Sequence, residues 1–164
     1  MNGRDIAVGA PSWVYILLAV LLLLGIRRLK TRDVPVLVAL IPSAAFLIWS
    51  LIGANAFASR VGFAIAVTTW LVGAGIGAVS AITLPDPRGL RLPDARVRQP
   101  GSWLPLILYI SVFVIRFACG AWAAIHPAQA DAATAIGIAV GAAVTLRLLV
   151  GVTRWRPYSP LTAA

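Results

Sequence analysis

The sequence predicts an all-α integral membrane protein with five transmembrane helices. Hydrophobic residues make up 60% of its 164 residues and charged residues only 12%, whereas roughly a quarter of a typical soluble domain is charged. Five apolar runs reach the roughly 17 to 25 residues that a helix needs to cross a bilayer. Basic residues cluster in short segments beside these runs. We therefore interpret residues 1–164 as a single transmembrane domain.

The first two helices are predicted over about residues 8–26 and 34–53. The first carries Trp13 and Tyr15 as anchors at the membrane interface. It resembles a signal peptide, but the strong basic cluster follows it instead of preceding it, so we expect it to be retained as a membrane helix. In the second helix Pro42 lacks the N–H of one helix hydrogen bond, and we expect a bend there.

The remaining helices are predicted over about residues 61–84, 103–125 and 131–153. In the third and fifth helices glycines repeat at the four-residue spacing that lets helix backbones approach closely. These helix-packing glycines are Gly73, Gly77, Gly137 and Gly141. We expect them to join helices within one chain, or copies of the chain in a homo-oligomer.

The longest connection, residues 85–102, separates the third and fourth helices. Leu90, Leu92 and Val97 alternate with polar residues around a turn at 93–95, which favours a short β-hairpin. The alternative is an irregular basic loop. In both cases each basic side chain near the surface would attract anionic lipid headgroups by about 1 kcal/mol.

Basic residues flank the predicted helices unequally. Ten lie in the connections after the first and third helices and in the C-terminal tail, whereas the opposite side has only Arg4 and Arg60. The ten are Arg27, Arg28, Lys30, Arg32, Arg88, Arg91, Arg96, Arg98, Arg154 and Arg156. By the positive-inside rule, the N-terminus is predicted outside and the C-terminus in the cytoplasm.

The composition argues against several classes of site. The chain contains one cysteine, Cys119, one histidine, His126, and no glutamate. Zinc sites need three or four protein ligands, chiefly from Cys and His, so we predict no metal. We also predict no cofactor and no catalytic residues, hence no enzyme. The pI is near 11.5, but the basic residues lie beside the apolar runs, where they determine the orientation of the helices in the membrane. We therefore expect no nucleic-acid binding.

Arg116 lies in the interior of the fourth predicted helix. A charged side chain at the bilayer centre costs about 2.5 to 3.5 kcal/mol on insertion scales, so Arg116 should face protein or a wet cavity. At helical spacing it shares a face with Tyr109, Cys119 and Gly120, opposite bulky residues, and we expect it to point into the bundle. Three kinds of acceptor for the Arg116 guanidinium remain as alternatives. The first is backbone carbonyls, such as those freed by Pro42. The second is a buried ligand group (a lipid phosphate, a carboxylate or a quinone oxygen), and the third is an acidic side chain of a partner protein.

Tyr109 and Arg147 complete the predicted ligand-binding residues around Arg116. The side chain of Arg147, on the fifth predicted helix, leans toward the level of Arg116. Two arginines that approach each other would need an anion between them. The simpler interpretation is that Arg147 and Arg154 form a basic stripe that meets lipid headgroups.

One motif carries a resemblance to a known family. Residues 100–106 read PGSWLPL, and three residues downstream belong to the same pattern: Phe113, Arg116 and Gly120. The pattern resembles a family of small multi-pass bacterial inner-membrane proteins that is known only as a domain of unknown function. The resemblance implies a bacterial inner-membrane location and no assigned activity. More distantly the layout is similar to CcdC-like membrane proteins linked to cytochrome c maturation, although a lone cysteine cannot carry out dithiol exchange.

Two function hypotheses follow from these observations. The leading one is a structural, accessory or assembly component that packs with other membrane proteins or with lipid. The alternative is a transporter-like bundle that binds a small molecule, an anion or a lipid around Arg116. The expected partners are the bilayer, anionic headgroups at the cytoplasmic face, and a membrane-protein partner or a second copy of the chain.

Overall fold

The computed structural model describes residues 12–84 and 87–157, with side chains from Val14 onward. This part of the chain contains five α-helices and three short β-strands. In chain order they are α1 Ser12–Arg27, β1 Arg32–Pro35, α2 Val36–Val61, α3 Phe63–Thr83, β2 Leu90–Arg91, β3 Arg96–Gln99, α4 Leu104–Ile125 and α5 Ala130–Thr153. A 3-10 turn, Pro127–Gln129, leads into α5.

Four of the described helices, α2 to α5, are long and apolar enough to cross a bilayer. Their most apolar windows have mean hydropathies between 1.8 and 2.3, because their apolar side chains run around the whole helix. α1 is apolar but shorter, with 16 described residues. The start of the predicted first helix, residues 8–11, lies outside the described residues. The chain is thus mostly helical, and four of its described helices are compatible in length and composition with a membrane protein.

α2 differs most from the predicted boundaries. It begins at Val36, after Pro35, and it continues past Gly53 to Val61. Gly53 does not end the helix, because a single glycine costs a helix only about 1 kcal/mol. The break comes at Gly62, whose φ of 94° is a left-handed conformation that glycine adopts without strain. Pro42 lies inside this single continuous helix.

α5 is the central helix of the bundle. It packs against α2, α3 and α4, while α1 packs on α4 and α2 packs on α3. Glycines bring α3 against α5: a Cβ atom at Gly73 would overlap the backbone of Ala139, and one at Gly77 would overlap the backbone of Ala143. These two glycines therefore join helices within one chain.

The three strands form an antiparallel sheet in the order β1-β3-β2. The predicted hairpin is present as β2 and β3, with the turn at Pro93 to Ala95, and Arg156 adds an isolated bridge to Leu90. β1 was not predicted, because Val34 and Pro35 were assigned to the second helix. Val34 pairs with Val97, and both are buried. The sheet connects α1 to α2 and α3 to α4, so it lies at one end of the bundle, which we call the sheet end.

Candidate functional site

A cavity of about 110 Å³ lies at the sheet end. We call it the end cavity. Helices α2, α4 and α5, the end of α3 and the sheet all contribute to its wall. Four arginines line it: Arg28, Arg88, Arg147 and Arg154. None of its described lining residues is acidic, so the cavity concentrates positive charge.

Arg147 is buried, with 6% of its surface exposed, because it caps the end of a neighbouring helix. Its Nη1 donates to the carbonyl of Ser80, and its Nη2 donates to the carbonyl of Leu84 at 2.6 Å. Arg154 donates to the carbonyl of Ala81 at 2.6 Å. The last carbonyls of a helix lack partners within it and carry partial negative charge, so the two guanidinium groups stabilise the end of α3.

One nitrogen of Arg147 takes no part in this capping. Its Nε is buried and has no hydrogen-bond partner among the described residues. A buried donor without an acceptor costs about 1 to 3 kcal/mol. Arg147 also lines the end cavity.

Tyr109 presents a second donor of the same kind. Its side chain is 1% exposed and stacks on Phe46 with 5.6 Å between the ring centroids. Its hydroxyl is buried and has no hydrogen-bond partner among the described residues. Tyr109 lines the end cavity together with Arg147. Two residues that each bury an unpaired donor therefore line one basic cavity.

The sheet closes the cavity with a polar wall. Arg28, just after α1, donates through Nη1 to the side-chain oxygen of Gln99 in β3. Gln99 is itself buried and lines the cavity. Because Gln99 is held in a paired strand, this contact fixes the Arg28 guanidinium beside the ends of the helices.

The acidic side chain of the sheet is engaged elsewhere. Asp33 accepts two hydrogen bonds from Arg98, at 2.8 and 3.0 Å. The bond from Arg98 holds the pKa of the Asp33 carboxyl below its usual range, and the same bond raises the pKa of Arg98. Both residues are outside the lining of the end cavity, so Asp33 does not neutralise its arginines.

Arg116 lies apart from the end cavity. Its Nε donates to the carbonyl of Gly137 in α5 at 3.1 Å. Its Nη2 would be 3.3 Å from a Cβ atom at Gly141 and 3.5 Å from one at Gly53. The guanidinium thus occupies a slot that glycines of α2 and α5 leave open, and its bonded carbonyl belongs to α5 rather than to the bend expected at Pro42.

The structure divides the three predicted ligand-binding residues. Tyr109 and Arg147 line one cavity, whereas Arg116 is further along the bundle. Gly137 and Gly141 belong to the Arg116 slot, while Gly73 and Gly77 belong to helix packing. Sequence reasoning missed the cavity residues Arg28, Arg88, Gln99 and Arg154 as a group. They come from three separate segments and were interpreted as flanking charges, as loop residues or, for Arg154, as part of a basic stripe with Arg147.

Within residues 12–84 and 87–157, no group of three His, Cys, Asp or Glu side chains is placed to hold a metal ion. The donors of the end cavity are guanidinium, hydroxyl and amide groups. Such groups bind oxyanions rather than cations.

Comparison with known proteins gives one match. The profile of a family of unknown function, DUF6622, matches residues 4–156. No curated protein and no solved structure matches the chain, and the similarity to CcdC-like proteins stays a prediction. The expected membership of a family without an assigned activity is confirmed. Because the match covers almost the whole sequence, the chain belongs to DUF6622, a family of unknown function.

Proposed function

We propose that this membrane protein binds the phosphate group of an anionic ligand in the end cavity. One observation carries the proposal: Tyr109 and Arg147 each bury a donor without an acceptor, and both line the same arginine-rich cavity. A phosphate offers several acceptor oxygens and a negative charge, which hydroxyl and guanidinium groups bind through charge-assisted hydrogen bonds.

The depth of the cavity supports a site at the membrane interface. Pro105 and Tyr109 lie within about 8 Å of the start of α4, at a rise of about 1.5 Å per residue. Arg147 and Arg154 come from the last turns of α5 and the residue after it. A phosphate at this level is either the headgroup of an anionic phospholipid or a free phosphate from the adjacent aqueous phase.

We place this end of the protein at the cytoplasmic face of a bacterial inner membrane. The unequal distribution of basic residues supports that orientation, since the connections at the sheet end contain most of them. Anionic headgroups at that face are then within reach of the cavity and of the basic sheet. A structural or accessory role stays a prediction.

Native mass spectrometry of the delipidated protein in detergent tests the proposal. The probes are phosphatidic acid, phosphatidylglycerol and diacylglycerol, with inorganic phosphate titrated by calorimetry in parallel. Saturable binding of the two phospholipids but not of diacylglycerol identifies a lipid phosphate. Binding of inorganic phosphate without a preference among the lipids identifies a soluble ligand. Equal binding of diacylglycerol and the phospholipids, with no binding of inorganic phosphate, would contradict a phosphate site.

Two matched arginine variants locate the binding. Arg88 lines the end cavity, whereas Arg96 is exposed at the same end of the molecule and does not line it. We expect Arg88→Gln to weaken phosphate binding roughly fivefold, the effect of losing about 1 kcal/mol. Arg96→Gln should leave the affinity within about twofold, because the cavity loses only screened long-range attraction; the hydrogen bond that Arg96 donates to the carbonyl of Asp33 lies in the exposed part of the sheet. Equal losses in both variants would show general attraction to a basic surface and not a site.

A further inference from the structure

Arg116 is too deep in the bundle to reach either surface of a bilayer. At a rise of about 1.5 Å per residue it lies about 18 Å along α4 from Leu104 and about 14 Å from Ile125. Its acceptor, Gly137, lies about 10 Å from the start of α5 at Ala130. In a hydrocarbon core of about 30 Å, the guanidinium is therefore close to the middle.

The hydrogen bonding of Arg116 is incomplete. Its Nε bonds to Gly137, whereas both Nη nitrogens lack an acceptor among the described residues. The side chain is half-buried, and neither nitrogen belongs to the fully buried atoms without partners. Four N–H groups and a positive charge thus keep some accessible surface at mid-membrane depth without an acceptor among the described residues.

The slot that holds Arg116 fixes where these groups point. The guanidinium is packed between Gly53 of α2 and Gly141 of α5, where a Cβ atom would approach Nη2 within 3.5 and 3.3 Å. α2 and α4 both pack on α5, and near the sheet end the Phe46 and Tyr109 rings join them. Nη2 is therefore held where α2, α4 and α5 meet.

Within residues 12–84 and 87–157 no carboxylate is placed beside Arg116. Its five acidic residues are Asp5, Asp33, Asp86, Asp94 and Asp131. Asp33 pairs with Arg98 in the sheet, and Asp131 pairs with Arg60 at the opposite end of the bundle, at 3.3 Å. None of the five lies in the interior of a predicted membrane span, so a second copy of the chain would bring no carboxylate to the level of Arg116.

We propose that Arg116 is the docking point for a transmembrane helix of another protein that carries a carboxylate near the bilayer centre. A carboxylate can accept two parallel hydrogen bonds from the Nη side of a guanidinium, and it neutralises the charge where water is scarce. Lipid phosphates lie at the bilayer surfaces and do not reach this level. The inference is independent of the end cavity, which lies at another depth and has other donors.

Binding of designed transmembrane peptides tests this partner chemistry. The wild-type protein is reconstituted in phosphatidylcholine vesicles, and its energy transfer to labelled Leu-rich peptides is measured at pH 8. The peptides carry Glu, Gln or Leu at the centre, or Glu two turns from the centre. We expect the central Glu peptide to bind about tenfold more tightly than the Leu peptide, the effect of roughly 1 to 2 kcal/mol for polar contacts between membrane helices.

The displaced Glu peptide should lose that preference, because its carboxylate lies at the wrong depth. Arg116→Gln should remove the preference and Arg116→Lys should retain part of it, whereas Arg60→Gln, at the end of α2, should keep it in full. The peptide series on the wild-type protein decides the question even if an Arg116 variant fails to fold. Equal binding of the central Glu, Gln and Leu peptides overturns the proposal, as does a Gln peptide that binds as tightly as the Glu peptide.

Discussion

Arg147 combines two roles in one side chain. Its Nη nitrogens cap the carbonyls of Ser80 and Leu84, and its Nε has no acceptor in the described part of the chain. The capping bonds hold the guanidinium rigidly, so little conformational entropy remains to be lost when a ligand binds. For the same reason a variant of Arg147 would disturb the end of α3 along with the cavity, and it is a poor probe of binding alone.

Asp33 provides a pH-dependent contribution at the residue scale. Its pKa is lowered in the folded protein, first by the hydrogen bond from Arg98. A carboxyl group whose pKa is lowered by folding stabilises the folded protein at pH values above its ordinary pKa of 3.8. That contribution is lost as the pH falls through the lower pKa of the folded state. We expect hydrogen exchange of the β1 and β3 amides to accelerate below about pH 4, beyond its intrinsic pH dependence.

Asp33→Asn is the matched control for this titration, because asparagine keeps the size of the side chain and removes the charge. The acid-induced increase in hydrogen exchange should be smaller in the variant. The effect should be modest, since both Asp33 and Arg98 are exposed and solvent screens the pair. An identical acid response in the wild type and the variant would show that another group controls the sheet.

At the scale of elements, the contact between α3 and α5 depends on glycine at defined positions. Gly73 faces the backbone of Ala139, where a Cβ atom has no room, whereas a Cβ atom at Gly75 would have no neighbour within 4 Å. Both residues lie in the same apolar run, and the four-residue spacing to Gly77 singled out Gly73 as the packing residue. Their different surroundings make them a matched pair for testing the packing.

We expect Gly73→Ala to destabilise the bundle by about 1 to 3 kcal/mol, because the two helices must separate to admit a methyl group. Gly75→Ala should leave stability unchanged or raise it by up to about 1 kcal/mol, since alanine is the better helix former. Unfolding in mixed detergent micelles measures both changes. If Gly75→Ala were the more damaging substitution, the α3 to α5 contact described above would be wrong.

At the scale of the whole molecule, the apolar runs predicted the helices well. Contacts between residues far apart in the chain could not be predicted from the sequence. Gly53 was taken as the end of α2, although the helix ends at Gly62, whose positive φ becomes visible only in the structure. β1 was missed because its partner, β3, is more than sixty residues away in the chain. The end cavity was missed as a unit for the same reason, although Tyr109 and Arg147 were both chosen as ligand-binding residues.

The orientation of the whole molecule stays a prediction with a direct test. With the sheet end in the cytoplasm, a periplasmic reporter such as alkaline phosphatase fused after Arg156 should be inactive, and a cytoplasmic reporter there should be active. A second fusion within the turn at residues 127–129, which faces the opposite end of the bundle, should give the reverse pattern. An active periplasmic reporter after Arg156 would invert the proposed topology and move the end cavity to the outer face.

The phosphate site itself is tested most directly at Tyr109. Tyr109→Phe keeps the stacking on Phe46 and removes only the unpaired hydroxyl. The measurement is the affinity of the delipidated variant and of the wild type for phosphatidic acid and for inorganic phosphate. It is paired with the free energy of unfolding without ligand, and Tyr15→Phe, remote from the cavity lining, is the control.

For the probe that binds, we predict that Tyr109→Phe lowers the affinity about three- to tenfold, the effect of losing one hydrogen bond to a charged ligand. Without ligand, the variant should be as stable as the wild type or about 1 kcal/mol more stable, because a buried donor without an acceptor is removed. Unchanged phosphate affinity together with lower stability would show that the hydroxyl serves the fold and would contradict the site.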